Sequence, residues 1–149
     1  MAEILFYHLT ESRLEDVLPG LLEKTVERGW KAVVQCGTEA WRDEFDEKLW
    51  TYSDVSFIGH ATDESENASD QPVILMTGAG NPNGATVRFI VDGAVPPDLS
   101  SYTRAILMFD GHDEGQKEDA RASWKQFKSD GHNVTYWQQN ADRKWEKKG

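Results

Sequence analysis

The chain has 149 residues, enough for one compact domain with a buried core and too few for two ordinary ones. Its 26 acidic side chains against 16 basic ones leave a formal charge of −10, which opposes a large nucleic-acid footprint, because phosphate contacts are built from clustered Lys and Arg. The one cysteine, Cys36, excludes an intrachain disulfide and sits in an apolar run that suits a buried thiol, while no apolar run reaches membrane-spanning length. With no basic n-region leading into a long apolar stretch at the N-terminus, the expectation is a soluble, cytoplasmic protein in one domain, 1–149.

Residues 3–8 form a short apolar run suited to a strand, and Thr10-Glu11-Ser12 offers a helix cap. Leu14, Val17, Leu18, Leu21, Leu22 and Val26 then recur at helical spacing, with Pro19-Gly20 predicting a late start or a kink and Gly29 a stop. Residues 32–36 read as a buried strand, and Thr38 caps a helix that places Trp41, Phe45 and Leu49 at i, i+4 and i+8. Strand, helix, strand, helix is the order expected of a parallel α/β sheet. Between Leu49 and Val73, Leu49-Trp50, Ser56-Phe57-Ile58-Gly59-His60 and Asp70-Gln71-Pro72-Val73 space aromatic and turn residues through a polar segment, the pattern of a loop folded onto the core or of a docking face; 63–69 reads as a polar surface loop.

Residues 73–77 and 86–91 are further predicted strands, joined by the glycine-rich segment 78–84. Backbone amides bared by glycines cradle phosphates at helix starts, but here the spacing is G-x-G-x-x-x-G, no Lys-Ser or Lys-Thr follows, and the next element reads as strand. A hairpin or loop connection is expected instead. Pro96-Pro97-Asp98 is a turn, 104–109 a buried strand, 113–129 a long helix stopped near Gly131, and 134–138 with 144–147 a terminal hairpin around Asn140-Ala141-Asp142 whose last strand is polar enough to be an edge.

Three groups of residues compete for a functional role. His8, His60, His112 and His132 are scattered without zinc-ligand spacing and read as ordinary histidines. Asp110, Asp113 and Glu114 follow a buried strand, where an open α/β sheet places functional loops; they allow a magnesium-dependent phosphotransfer or hydrolase reading, although Asp113 and Glu114 also serve as favourable charges at a helix N-terminus. Lys117, Arg121, Lys125 and Lys128 recur at i, i+4, i+8 and i+11 beside an apolar face of Ala120, Trp124 and Phe127. That stripe is either a solvated face balanced by Glu118 and Asp119 or a clamp for an acidic peptide or phosphate, with Arg121 supplying a planar fork and Trp124 an apolar wall.

Phe6-Tyr7-His8-Leu9, Leu22-Glu23-Lys24 running to Arg28-Gly29-Trp30, Leu49-Trp50, Ser56-Phe57-Ile58-Gly59-His60, Asp70-Gln71-Pro72-Val73, Asn81-Pro82-Asn83-Gly84, Phe109-Asp110-Gly111, and Gly131-His132 leading into Tyr136-Trp137-Gln138 occur in an order and spacing that resemble the chi subunit of bacterial DNA polymerase III, nearly end to end. The resemblance implies a three-layer α/β/α domain with a mostly parallel sheet, similar to nucleotide-binding folds yet without a nucleotide, metal or other cofactor. It also implies a non-catalytic accessory subunit of a DNA-directed DNA polymerase, in the clamp-loader assembly. One surface of such proteins takes the psi subunit and another the acidic, Phe-ended C-terminal tail of single-stranded-DNA-binding protein, so that DNA is met mainly indirectly and no membrane is involved. Carried over by position, Lys117, Arg121, Trp124 and Lys125 form the tail site, and Trp50, Tyr52, Phe57 and Ile58 the psi-like docking face. The chain departs from the pattern at Gly59, where Pro is common, and at Asp110, which replaces an apolar residue found in some relatives.

Overall fold

A computed structural model describes residues 3–51, 60–62, 70–142 and 144–148. In chain order the elements are β1 (Glu3–Leu9), α1 (Leu14–Glu27), β2 (Ala32–Gln35), α2 (Glu39–Trp50), β3 (His60–Thr62), β4 (Val73–Met76), β5 (Val87–Ile90), β6 (Arg104–Asp110), α3 (Glu114–Ser129), β7 (Asn133–Gln139) and β8 (Trp145–Lys147). The strands make one sheet in the order β3-β4-β2-β5-β6-β1-β7-β8. Every neighbouring pair is parallel except β7 with β8, which close the expected antiparallel C-terminal hairpin.

Strand parity divides the core. Leu5 and Leu9 of β1, Val34 of β2, Phe89 of β5 and Met108 of β6 pack beneath α1 and α2 with Leu18, Leu22, Phe45 and Leu49. Ile4 and Phe6 of β1, with Leu107 and Phe109 of β6, face the opposite way, beneath Ala120 and Phe127 of α3. Because both faces are covered, β2 and β4 are buried at every position and read as continuous apolar runs, not as alternation. Cys36 lies in this core as a buried thiol.

Several expectations change in detail. Of the late start or kink expected at Pro19-Gly20, the late start does not occur: helix α1 starts at Leu14 and carries Pro19 in its interior. An interior proline costs about 3 kcal/mol; full burial of Leu18 and Leu22 on the same helix is worth about 3–6 kcal/mol, enough to hold the helix through it. The Thr10–Ser12 segment supplies no side-chain cap, since the N-cap residue is Arg13. Its backbone is held from the far end of the chain: Gln139 Oε1 accepts from the N–H groups of Thr10, Glu11 and Ser12 at 3.3, 3.2 and 3.1 Å. Thr38 caps α2 as expected, accepting from Trp41 N–H at 3.2 Å. Strand β3 has no counterpart in the sequence reading, because three residues are too few to show a period. The polar loop expected at 63–69 lies outside the described residues.

The glycine-rich segment is a loop but not a hairpin. Strands β4 and β5 both run parallel to β2, which lies between them, so 77–86 crosses over β2 without a helix. Arg88 of β5, fully buried, holds that crossover from below. Its guanidinium donates to the carbonyls of Gly78 (2.6 Å) and Gly80 (2.8 Å), to Gln35 Oε1 (2.9 and 3.1 Å) and to the Tyr102 hydroxyl (2.9 Å). A second helix-free connection, 91–103, follows β5; it passes so close to Gly37 that a Cβ there would collide with the Asp92 carbonyl.

Candidate functional site

Open α/β sheets bind ligands outside the carboxyl ends of the strands, where successive helices pass to opposite faces. Here that point lies between β1, which leads into α1, and β6, which leads into α3. A crevice of about 300 Å³ opens there, bordered by Arg13, Glu15, Trp41, Asp92, Asp110 and His112. Its charge is wrong for a nucleotide: three carboxylates face it, and Arg13 is already paired with Glu15 at 2.6 Å. Burial raises the Asp92 carboxyl above its ordinary value, against hydrogen bonds from Thr38 and Gly37 that pull it down. The glycine-rich crossover is no substitute, since its Gly78 and Gly80 carbonyls, not amides, meet the nearest cation.

A second pocket, about 170 Å³, lies on the α3 face and is lined by His8, Phe109, Lys117, Ala120, Arg121, Trp124 and Tyr136. Its floor comes from three adjacent strands. Parity turns His8 of β1, Phe109 of β6 and Tyr136 of β7 toward α3, and register sets His8 beside Phe109 and Tyr136 beside Phe6. Its wall is α3, where Lys117, Ala120, Arg121 and Trp124 follow i, i+3, i+4 and i+7 and so share one face. The Asp113 side chain caps that helix, accepting from Gln116 N–H at 3.1 Å, and Gly131 ends it at φ 85°. Trp124 is fixed edge-on to Phe6 (5.4 Å) and Tyr136 (5.7 Å), with Lys128 Nζ 4.7 Å from its ring centre.

The pocket is cationic above and aromatic below. Arg121 is exposed, and among the described residues no carboxylate lies within ion-pair distance of it. Lys117 meets Glu114 only at 3.6 Å on the surface. At the floor, His8 Nδ1 lies 2.6 Å from the Tyr136 hydroxyl and its ring stacks on Phe109 at 4.7 Å. Burial holds the His8 imidazole below its ordinary value, assisted by Lys117 and His112 and opposed by Asp110. Burial pushes the Tyr136 phenol up, and Arg121 offsets part of that.

Of the residues predicted for this site, Lys117, Arg121 and Trp124 come together in the pocket, and Lys125 is exposed one turn beyond its lining. His8, Phe109 and Tyr136 were not singled out for it; their strand parity marks them for one face, but only the order β6-β1-β7 makes them neighbours. In the other group, Trp50 is 54% exposed at the end of α2, its ring 4.3 Å from the buried His60, while Tyr52, Phe57 and Ile58 lie outside the described residues. The acidic trio does not converge. Asp113 caps α3, Asp110 accepts from His112 N–H at 2.8 Å, Glu114 leans toward Lys117, and among the described residues no three His, Cys, Asp or Glu side chains could hold a metal together.

Fold and site therefore define an α/β domain whose accessible feature is a cationic, aromatic-floored pocket and not a phosphate cradle. Residues 1–135 match the family model described as DNA polymerase III chi subunit, HolC. The chain belongs to the DNA polymerase III chi subunit family, which places it in DNA replication. It is 27% identical over 134 residues to the DNA polymerase III subunit chi of Haemophilus influenzae, a match covering 87% of this chain and 92% of that one. It is 26% identical over 100 residues to the probable DNA polymerase III subunit chi of Rickettsia prowazekii, covering 67% of this chain and 59% of the relative, and 36% identical over 64 residues to the Pseudomonas aeruginosa subunit, covering 43% and 42%. Among the described residues no helix is long and apolar enough to cross a membrane.

Proposed function

We propose that this chain is a non-catalytic adaptor in the clamp-loader assembly of DNA polymerase III, and that its α3 pocket receives the acidic, Phe-ended C-terminal tail of single-stranded-DNA-binding protein. The observation that carries this reading is the juxtaposition, in a protein of charge −10, of Arg121 and Lys117 with a pocket walled by Phe109, Ala120 and Trp124. The terminal carboxylate pairs with Arg121, the tail's aspartates with Lys117 and Lys125, and its phenyl ring enters between Phe109 and Trp124. DNA is then met mainly through that partner, in the cytoplasm at the replisome. A psi-like subunit docks on the separate face marked by Trp50, joined by Tyr52, Phe57 and Ile58.

The test is the affinity of a labelled acidic peptide ending in Phe. A hydrogen-bonded contact to a charged group is worth about 2 kcal/mol, so Arg121→Ala should weaken binding roughly 30-fold. Added salt should weaken binding by the unaltered protein as well. Undetectable binding by the unaltered protein at low salt overturns the tail site. Capture from lysate with the unaltered chain and with Trp50→Ala tests the second face, which fails if both recover the same partners.

A further inference from the structure

The pocket floor holds a titratable pair that the cationic stripe does not need. His8 Nδ1 and the Tyr136 hydroxyl are 2.6 Å apart on adjacent strands, directly beneath Arg121 and Lys117. The ring is held closely: Phe109 stacks on it, and Gly111 packs against its Nε2 edge so tightly that a Cβ there would overlap His8 Nε2 and approach the Leu9 carbonyl at 2.8 Å. The charged and titratable groups facing the ring are Lys117 and Arg121 from α3, Asp110 and His112 from the end of β6 and its turn, and Tyr136 from β7.

A hydroxyl has one proton to donate. While His8 is neutral with Nδ1 as acceptor, Tyr136 donates that proton to His8 and shows only lone pairs to a ligand in the pocket. Burial, followed by the Lys117 ammonium and the neighbouring His112, favours a neutral His8 ring, in whose Nε2–H tautomer Nδ1 is the acceptor. An incoming carboxylate shifts the balance toward the imidazolium, because its negative charge lies close to the ring and offsets Lys117. An imidazolium donates from both nitrogens, so Nδ1–H then points at the Tyr136 oxygen and frees the O–H to donate to the ligand.

We propose that His8 and Tyr136 form a proton-linked carboxylate receptor in the α3 pocket: anion binding is coupled to fractional proton uptake from solvent onto His8, and Tyr136 turns from donor toward His8 to donor toward the ligand. This inference rests on the reading of the pocket as the site of an acidic tail. It adds pH control to that site. The direction is fixed by linkage: the ligand-bound form holds its proton to higher pH than the free form, so affinity rises as pH falls through the bound-form value and levels off below the free-form value.

The experiment measures the affinity of an acidic peptide ending in Phe between about pH 8 and about pH 5.5, where its carboxylates stay ionised. Binding by the unaltered protein should tighten by about tenfold over this range, with proton uptake seen as a dependence of the calorimetric heat on buffer ionisation enthalpy. His8→Gln should flatten the profile, and His132→Gln, at a histidine outside the pocket lining, should keep it. Because His8→Gln also disturbs packing on Phe109, a second measurement uses the unaltered protein: the His8 ring protons followed by NMR should titrate about one pH unit higher with peptide bound than free. A slope unchanged in His8→Gln, or a His8 titration unmoved by saturating peptide, overturns the inference; if Arg121→Ala still weakens binding in that case, the tail site itself stands. Absence of any binding by the unaltered protein overturns both.

Discussion

Replacing Arg88 by Met tests whether the glycine-rich crossover is architecture. The substitution keeps an unbranched side chain of comparable length and removes every donor that Arg88 offers. Gln35 Oε1 and the carbonyls of Gly78 and Gly80 then lose their partner in a site with no solvent exposure at Arg88. At about 1–3 kcal/mol for each buried acceptor left unsatisfied, the gross loss is roughly 3–9 kcal/mol. Relief from holding a guanidinium away from water returns about 2 kcal/mol, so the middle of that range leaves a net loss of about 4 kcal/mol. Equilibrium urea unfolding measures it: with a slope of about 2 kcal/mol per molar, the midpoint should fall by roughly 2 M. Arg88→Lys should recover only part of this, since three donors on a point cannot span acceptors on two strands and a loop. A midpoint within about 0.5 M of the unaltered protein's refutes the reasoning and returns the loop to consideration as a ligand site.

Gln139→Ala removes the acceptor shared by three N–H groups of the β1–α1 turn and should cost about 1–3 kcal/mol, with faster amide exchange at Thr10, Glu11 and Ser12. Asp113→Ala should cost about 1 kcal/mol by loss of the α3 cap; added magnesium should leave the melting temperature of the unaltered protein unchanged, and a rise that Asp113→Ala abolishes would revive a metal role. Burial raises the Asp92 carboxyl in the folded state, so the folded form binds its proton more tightly than the unfolded chain does. Its contribution to stability is therefore present below the unfolded carboxyl range and declines as pH rises through the folded value. Asp92→Asn should then stabilise the protein at neutral pH and lose this advantage in acid, as thermal melts across pH would show; its φ of 55° suits Asn equally well.

The parallel strands are legible from sequence because burial on both faces leaves unbroken apolar runs, as in Ala32–Gln35 and Val73–Met76. Helix α3 is legible from its acidic start and its stop, and its cationic stripe follows from the helical period alone. The crossover at 77–86 is not, because glycine and asparagine fit a hairpin as well as a loop and only strand order separates the two. Pro19 does not delay the helix for a related reason: a local penalty is outweighed by burial of Leu18 and Leu22 against distant strands. The same limit applies to the pocket. Arg121 and Trp124 share a helix, but His8 and Tyr136 stand 128 positions apart and meet through sheet order.

The central place of β1, between β6 and β7, has a consequence for synthesis. Strand β1 has both its edges unpaired until about a hundred further residues have been made, and its two partnerships are among the longest loops the fold must close. The nascent chain therefore carries an aggregation-prone apolar ribbon for most of its elongation. Competence to bind at the α3 face comes last: the floor residue Tyr136 and the latch Gln139 both arrive on β7, so a chain released before that strand is complete has the cationic helix without the surface it encloses.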